Sequence, residues 1–193
     1  MSGYTTIREF LKFHTKDDHE LLDKHFVHLN LENLSLSGDF VYAHAYTFQL
    51  IEEYLNLNAS GILPSELSQH TQHQHIFSVL KRVNRSSERT IVMDFRLAIN
   101  PSYSYLLGVI YVLKGSQLGG KFLKHSFLKS TNPLVNLLGQ SFEVKSLSWN
   151  DFLNYLNVAD IDRSECLKGA RDAFKIFILV FNEILVLGNA EKN

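Results

Sequence analysis

Along residues 5–29, Leu11, Thr15, His19, Leu22 and Phe26 recur at intervals of three and four, the spacing that stacks side chains on one face of a helix. An imidazole on such a face has two uses. It sits in a core as a hydrogen-bonded ring, the commoner fate, or it offers a ring nitrogen to a metal. Asp23 follows His19 by one turn, where a carboxylate can hold the other ring nitrogen and orient a ligating histidine. Ile7, Phe10, His14 and Leu21 widen the apolar stripe, and Arg8, Lys16, Glu20 and Lys24 fall elsewhere on the surface.

A second feature is the cluster Gly115, Gly119 and Gly120 inside the apolar run SYLLGVIYVLKGSQLGGKFL. Each glycine in a helix interior costs about 1 kcal/mol relative to alanine, so three within one short stretch need a reason. Close helix packing or a kink is the more frequent one. The other is a flat ligand lying on bare backbone, where any Cβ would collide. A phosphate-cradling loop is excluded, because no strand precedes the cluster and the Gly-Lys-Ser/Thr ending is missing.

Other chemistry-bearing residues read more blandly. His70, His73 and His75 have Gln, Thr and Ser around them and no accompanying cysteine, so they predict an exposed polar helix or loop. Lys12 and Arg171 lie on otherwise apolar helices. Singly they are solvated charges; converging at a pocket rim, they suit carboxylates. Neither a Ser/His/Asp pattern, nor HExxH, nor paired Glu-x-x-His ligands occur.

The elements that must carry these residues are helical. The periodicity predicts helices over 5–29, over 40–55 with Ser37 or Asp39 as N-cap, weakly over 66–83, over 86–99 and over 102–130. Two short helices around Trp149 follow within 135–156, with Ser148 as a cap. The last helix covers 164–187, with Leu167, Ala170, Phe174, Phe177, Ile178, Phe181 and Ile184 as its buried stripe. The β-branched pairs in 90–93 and 109–112 are too short to make strands. The expectation is one all-α, single-domain bundle over residues 1–193, and 14 Phe with 8 Tyr supply its core. A net charge of −1 creates no field to recruit nucleic acid or an anionic membrane. The longest apolar run, 176–187, contains Asn182 and Glu183 and falls short of the ~20 residues that span a bilayer. Charges at Arg8 and Glu9 deny the N-terminus a signal-peptide core, and the single Cys166 rules out an internal disulfide. Together these predict a cytoplasmic protein.

Three segments together resemble the heme oxygenases, in particular the biliverdin-producing bacterial branch found beside bacterial phytochromes. Leu11-Lys-Phe-His-Thr15-Lys-Asp-Asp-His19 is similar to the family's proximal helix, Leu-Lys/Arg-x-x-Thr-x-x-x-His. Gly108-Val-Ile-Tyr-Val-Leu-Lys-Gly115-Ser-Gln-Leu-Gly119-Gly120 resembles its distal helix. Ala170-Arg-Asp-Ala-Phe174, followed by Phe181 and Glu183, is similar to the final helix that helps anchor heme propionates. The three occur in the family's order, from about residue 11 to 183.

The resemblance implies an all-α fold with heme held between the first helix and the glycine helix. It makes His19 the proximal iron ligand and assigns the distal, catalytic wall to Gly115, Ser116, Gly119 and Gly120. It puts Lys12, Thr15, Tyr111, Arg171 and Phe174 beside the heme, Lys12 and Arg171 at propionates. Heme is then both cofactor and substrate, opened with O2 and an external electron donor (ferredoxin, flavodoxin or a reductase) to biliverdin, carbon monoxide and ferrous iron, with a bacterial phytochrome as a candidate acceptor. The alternative is a non-catalytic heme-binding or sensor protein on the same scaffold. Ser116 departs from the Asp of many members, Lys114 from an acidic residue common in this branch, and His14 from a usual small residue.

Overall fold

Thr6 opens the first helix with a reciprocal cap. Its hydroxyl accepts the Glu9 N–H at 3.2 Å, and the Glu9 carboxylate accepts the Thr6 N–H at 3.3 Å. The computed structural model describes residues 6–27, 29–68, 70–84, 95–143 and 148–190, the side chains of 68 and 186–190 excepted. The single helix expected over 5–29 is two, α1 (Ile7–His14) and α2 (Lys16–Val27). Thr15 stands between them at φ −111° and ψ 14°, and its hydroxyl donates to the Leu11 carbonyl at 2.8 Å. A threonine bonding back in this way bends a helix. Backbone bonds from Thr15 N–H to Leu11 and from His19 N–H to Thr15 still carry the chain across the joint.

α3 (Leu34–Asn58) starts well before residue 40, because the Asn33 carboxamide accepts the Leu36 N–H at 3.1 Å. Ser37 and Asp39, the expected caps, are buried inside the helix instead. The weak pattern over 66–83 divides into α4 (Ser65–Ser68) and α5 (Gln72–Arg82). Of the helix expected over 86–99, residues 86–94 lie outside the described residues, and 95–98 are not helical. Ala98 is pinned by side chains: Tyr54 donates its hydroxyl to the Ala98 carbonyl at 2.9 Å, and Ala98 N–H donates to the Tyr105 hydroxyl at 3.1 Å. Tyr105 in turn donates to Asp172 at 2.9 Å.

Ser102 caps α6 (Tyr103–Phe127) through the Tyr105 N–H, and Asn132 caps α7 (Pro133–Leu138), whose proline sits where an N–H would be unpaired anyway. A 3-10 turn, Gly139–Phe142, leads on to α8 (Trp149–Val158), capped by Ser148 as its sequence predicts, and to α9 (Arg163–Ala190). Among the described residues there is no strand, so the architecture is all-α. No helix of these residues is long and apolar enough to cross a membrane.

α9 lies along the middle. Ala170, Phe174, Phe177, Phe181 and Ile184 of its predicted stripe are buried, while Leu167 and Ile178 are half-buried. α6 crosses it backbone to backbone. A Cβ on Gly108 would overlap the Cys166 carbonyl, and one on Gly169 would overlap the Tyr105 carbonyl. Glycine is needed at that crossing because nothing larger leaves room for the two chains. On the other side, Phe177 packs edge-on to Phe48 and Phe181 edge-on to Phe40, which joins α9 to α3.

The histidine-rich segment departs from its expectation of exposure. Thr71, at the start of α5, makes no side-chain cap. Glu52 of α3, fully buried, caps α5 from outside: its two carboxylate oxygens accept the Gln72 and His73 N–H groups, each at 2.9 Å, and His73 Nδ1 lies at 2.6 Å. His70 is buried with Nε2 2.7 Å from the Leu67 carbonyl, and His75 Nε2 lies 2.8 Å from the Gln140 carbonyl. Backbone groups needing partners drew the polar side chains inward.

Candidate functional site

α1 and α2 run beside α9 in the same direction. Arg163 stacks over Phe10, Arg171 donates to the His14 carbonyl at 3.1 Å, the His19 ring lies 5.8 Å from Phe174, and His25 lies 5.9 Å from Phe181. α6 also runs this way. It crosses α9 at Gly108, and a Cβ on Gly120 would fall 3.1 Å from Phe142, whose ring lies 5.4 Å from His44 and, through it, one ring from Phe177. His19 on α2 thus lies against Phe174 of α9, which is buried, while α6 meets α9 at Gly108.

No residue of α2 is fully buried, and Leu22 and Phe26, which follow His19 along its apolar stripe, are half-buried against the core. On α6, Phe122 is 74% exposed, and a Cβ on Gly119 would meet nothing within 4 Å. The three glycines thus separate. Gly119 opens on free space, Gly115 comes into ordinary contact distance of the Trp149 ring, and Gly120 is a packing glycine against Phe142. Ser116 is half-buried beside them. The Tyr111 ring lies 5.5 Å from Trp149 of α8. Burial raises the pKa of its hydroxyl, an effect that the nearby Arg8 charge opposes.

His19 is 63% exposed, and its Nδ1 lies 3.1 Å from the Asp23 carboxylate. That contact engages Nδ1 and not Nε2. Thr15 is buried and committed to the helix joint. Lys12 and Arg171 are not brought together. Lys12 lines a groove against α8, whereas Arg171 reaches from α9 to the His14 carbonyl. Among the described residues no group of three His, Cys, Asp or Glu side chains is placed to hold a metal ion.

Sequence reasoning missed several features here. Lys114, singled out only as a departure from the family's pattern, is buried, and burial pushes its pKa down to about 8 against the opposing pull of Glu52. His44 is enclosed by Phe48, Phe142 and Phe177, and burial lowers its pKa to about 3. The available signal was spacing: Glu52 continues Phe48 and Leu55, and Lys114 continues Ile110 and Gln117, so both lie on buried stripes. Comparison with family models, curated proteins and solved structures finds no match for this chain.

Proposed function

We propose that this chain is a heme oxygenase that holds heme between α2 and α6. The observation that supports the reading is an exposed His19 on α2 with Asp23 on its Nδ1, together with helix backbone left bare at Gly119 on α6. A flat apolar macrocycle would suit an imidazole on one side and bare backbone on the other. When bound, heme supplies both redox iron and substrate, opened with O2 and donor electrons to biliverdin, carbon monoxide and ferrous iron.

The chain's own residues contribute positioning. His19 would hold the iron through Nε2 while Asp23 holds Nδ1, which fixes the ring's orientation. Gly119 leaves space on the distal side that a methyl group would take. From Lys114 to Leu123 α6 carries neither a carboxylate nor an imidazole, and Ser116 contributes a hydroxyl. Lys12, exposed on α1, would pair with a propionate.

Mixing the protein with hemin, then adding ferredoxin and its reductase under air, tests the reading. A Soret band that decays to a biliverdin spectrum is expected. A stable Soret band would leave a non-catalytic heme binder, and no Soret band would overturn the proposal altogether.

A further inference from the structure

We infer that the groove between α1 and α8 is a binding site for a molecule carrying two or more carboxylates. The groove has a volume of about 530 Å3, within the range of small-molecule sites. Arg8 and Lys12 enter it from α1, one turn apart. Asn150, Asn154 and Asn157 enter from α8 over Leu153, at spacings that put three carboxamides on one helical face.

The charge is uncompensated. Two cations one turn apart oppose helix formation unless an anion sits between them. Among the described residues no carboxylate lies within ion-pair distance of Arg8 or Lys12. Glu9, which lines the groove, is turned to the Thr6 N–H, and Asp151 in the first turn of α8 accepts the Ser148 hydroxyl at 2.6 Å. Guanidinium and carboxamide groups both donate paired N–H bonds that match a carboxylate. The two cations stem from adjacent turns of α1 and the three carboxamides span two turns of α8, more than one carboxylate can fill.

A free polycarboxylate offers that chemistry, and this inference does not rest on the function proposed above.

Titration calorimetry with citrate tests it. The expected result is saturable citrate binding, which the double variant Arg8→Gln, Lys12→Gln should weaken at least tenfold. Asn154→Asp, which keeps both cations but adds a carboxylate, should weaken it too; far-UV circular dichroism checks that both variants fold. No citrate binding overturns the inference, as does binding that survives both variants. Because citrate carries no iron and no porphyrin, failed hemin turnover with intact citrate binding sinks only the heme reading.

Discussion

The Asp23 carboxylate lies 3.1 Å from His19 Nδ1, one turn along an α-helix that buries none of its own side chains. A carboxylate so placed selects the tautomer with the proton on Nδ1 and leaves the Nε2 lone pair pointing away from the helix. His19→Ala should therefore abolish turnover and change the ferric heme spectrum, with added imidazole restoring part of it. Asp23→Asn should keep the spectrum but weaken heme affinity or activity by about 10–100-fold. Loss of the native spectrum on His14→Ala, with His19→Ala unaffected, would refute the ligand assignment.

The glycines of α6 should separate by phenotype. Gly119→Ala adds a methyl group to open space, so stability should stay level or rise by up to about 1 kcal/mol while biliverdin yield falls. Gly108→Ala drives a methyl group into the Cys166 carbonyl and should cost about 2–4 kcal/mol as the two helices part. Gly120→Ala needs only a few tenths of an ångström from Phe142 and should cost less. Thermal melts and turnover per folded molecule decide this. A destabilised Gly119→Ala with normal turnover would remove Gly119 from the distal wall.

Lys114 should make stability rise with alkaline pH. Its folded pKa of about 8 lies below the ordinary 10.5, so between those values the unfolded chain binds more protons and folding gains as pH increases. Lys114→Met keeps the volume and removes the buried charge, while Glu52 retains its Gln72 and His73 partners. The variant should be more stable by about 1–3 kcal/mol at pH 7, and its advantage should shrink towards pH 10.5. Urea unfolding at pH 7 and at about pH 10 measures both. A less stable variant at pH 7 would mean that attraction to Glu52 exceeds the desolvation cost.

His44 should act at the other end of the scale. Its pKa, about 3 in the folded chain against 6.5, means that stability is lost as pH falls from about 6.5 towards 3, by up to ~4 kcal/mol. His25 and His70, also lowered by burial, add to the same slope. His44→Leu should flatten the acid limb of a stability–pH curve. An unchanged limb would show that His44 is protonated without unfolding the chain.

Much of this was legible in the chain itself, because helix formation is decided among near neighbours, each N–H bonding one turn back. The three-and-four spacing, the Ser148 cap, the proline of α7 and the buried stripe of α9 all depend on such neighbours, so local pattern determined the all-α class. It also put His19, Thr15 and Leu22 on one face. Where local signals competed, the outcome was shifted: Asn33 took the cap from Ser37 and Asp39, and the Thr15 hydroxyl broke one helix into two.

Tertiary structure decided which faces are covered. Gly108 and Gly119 look alike in sequence, yet one meets the backbone of a helix far along the chain and the other meets nothing. Glu52 is an ordinary helical glutamate until α5, twenty residues on, arrives with unpaired N–H groups. Lys12 and Arg171, both basic and both on apolar helices, end against different neighbours, α8 for one and the His14 carbonyl for the other. Spacing sets the direction of a side chain on its own helix, but burial and pairing depend on which distant helix packs there, and that is settled only when the whole core closes.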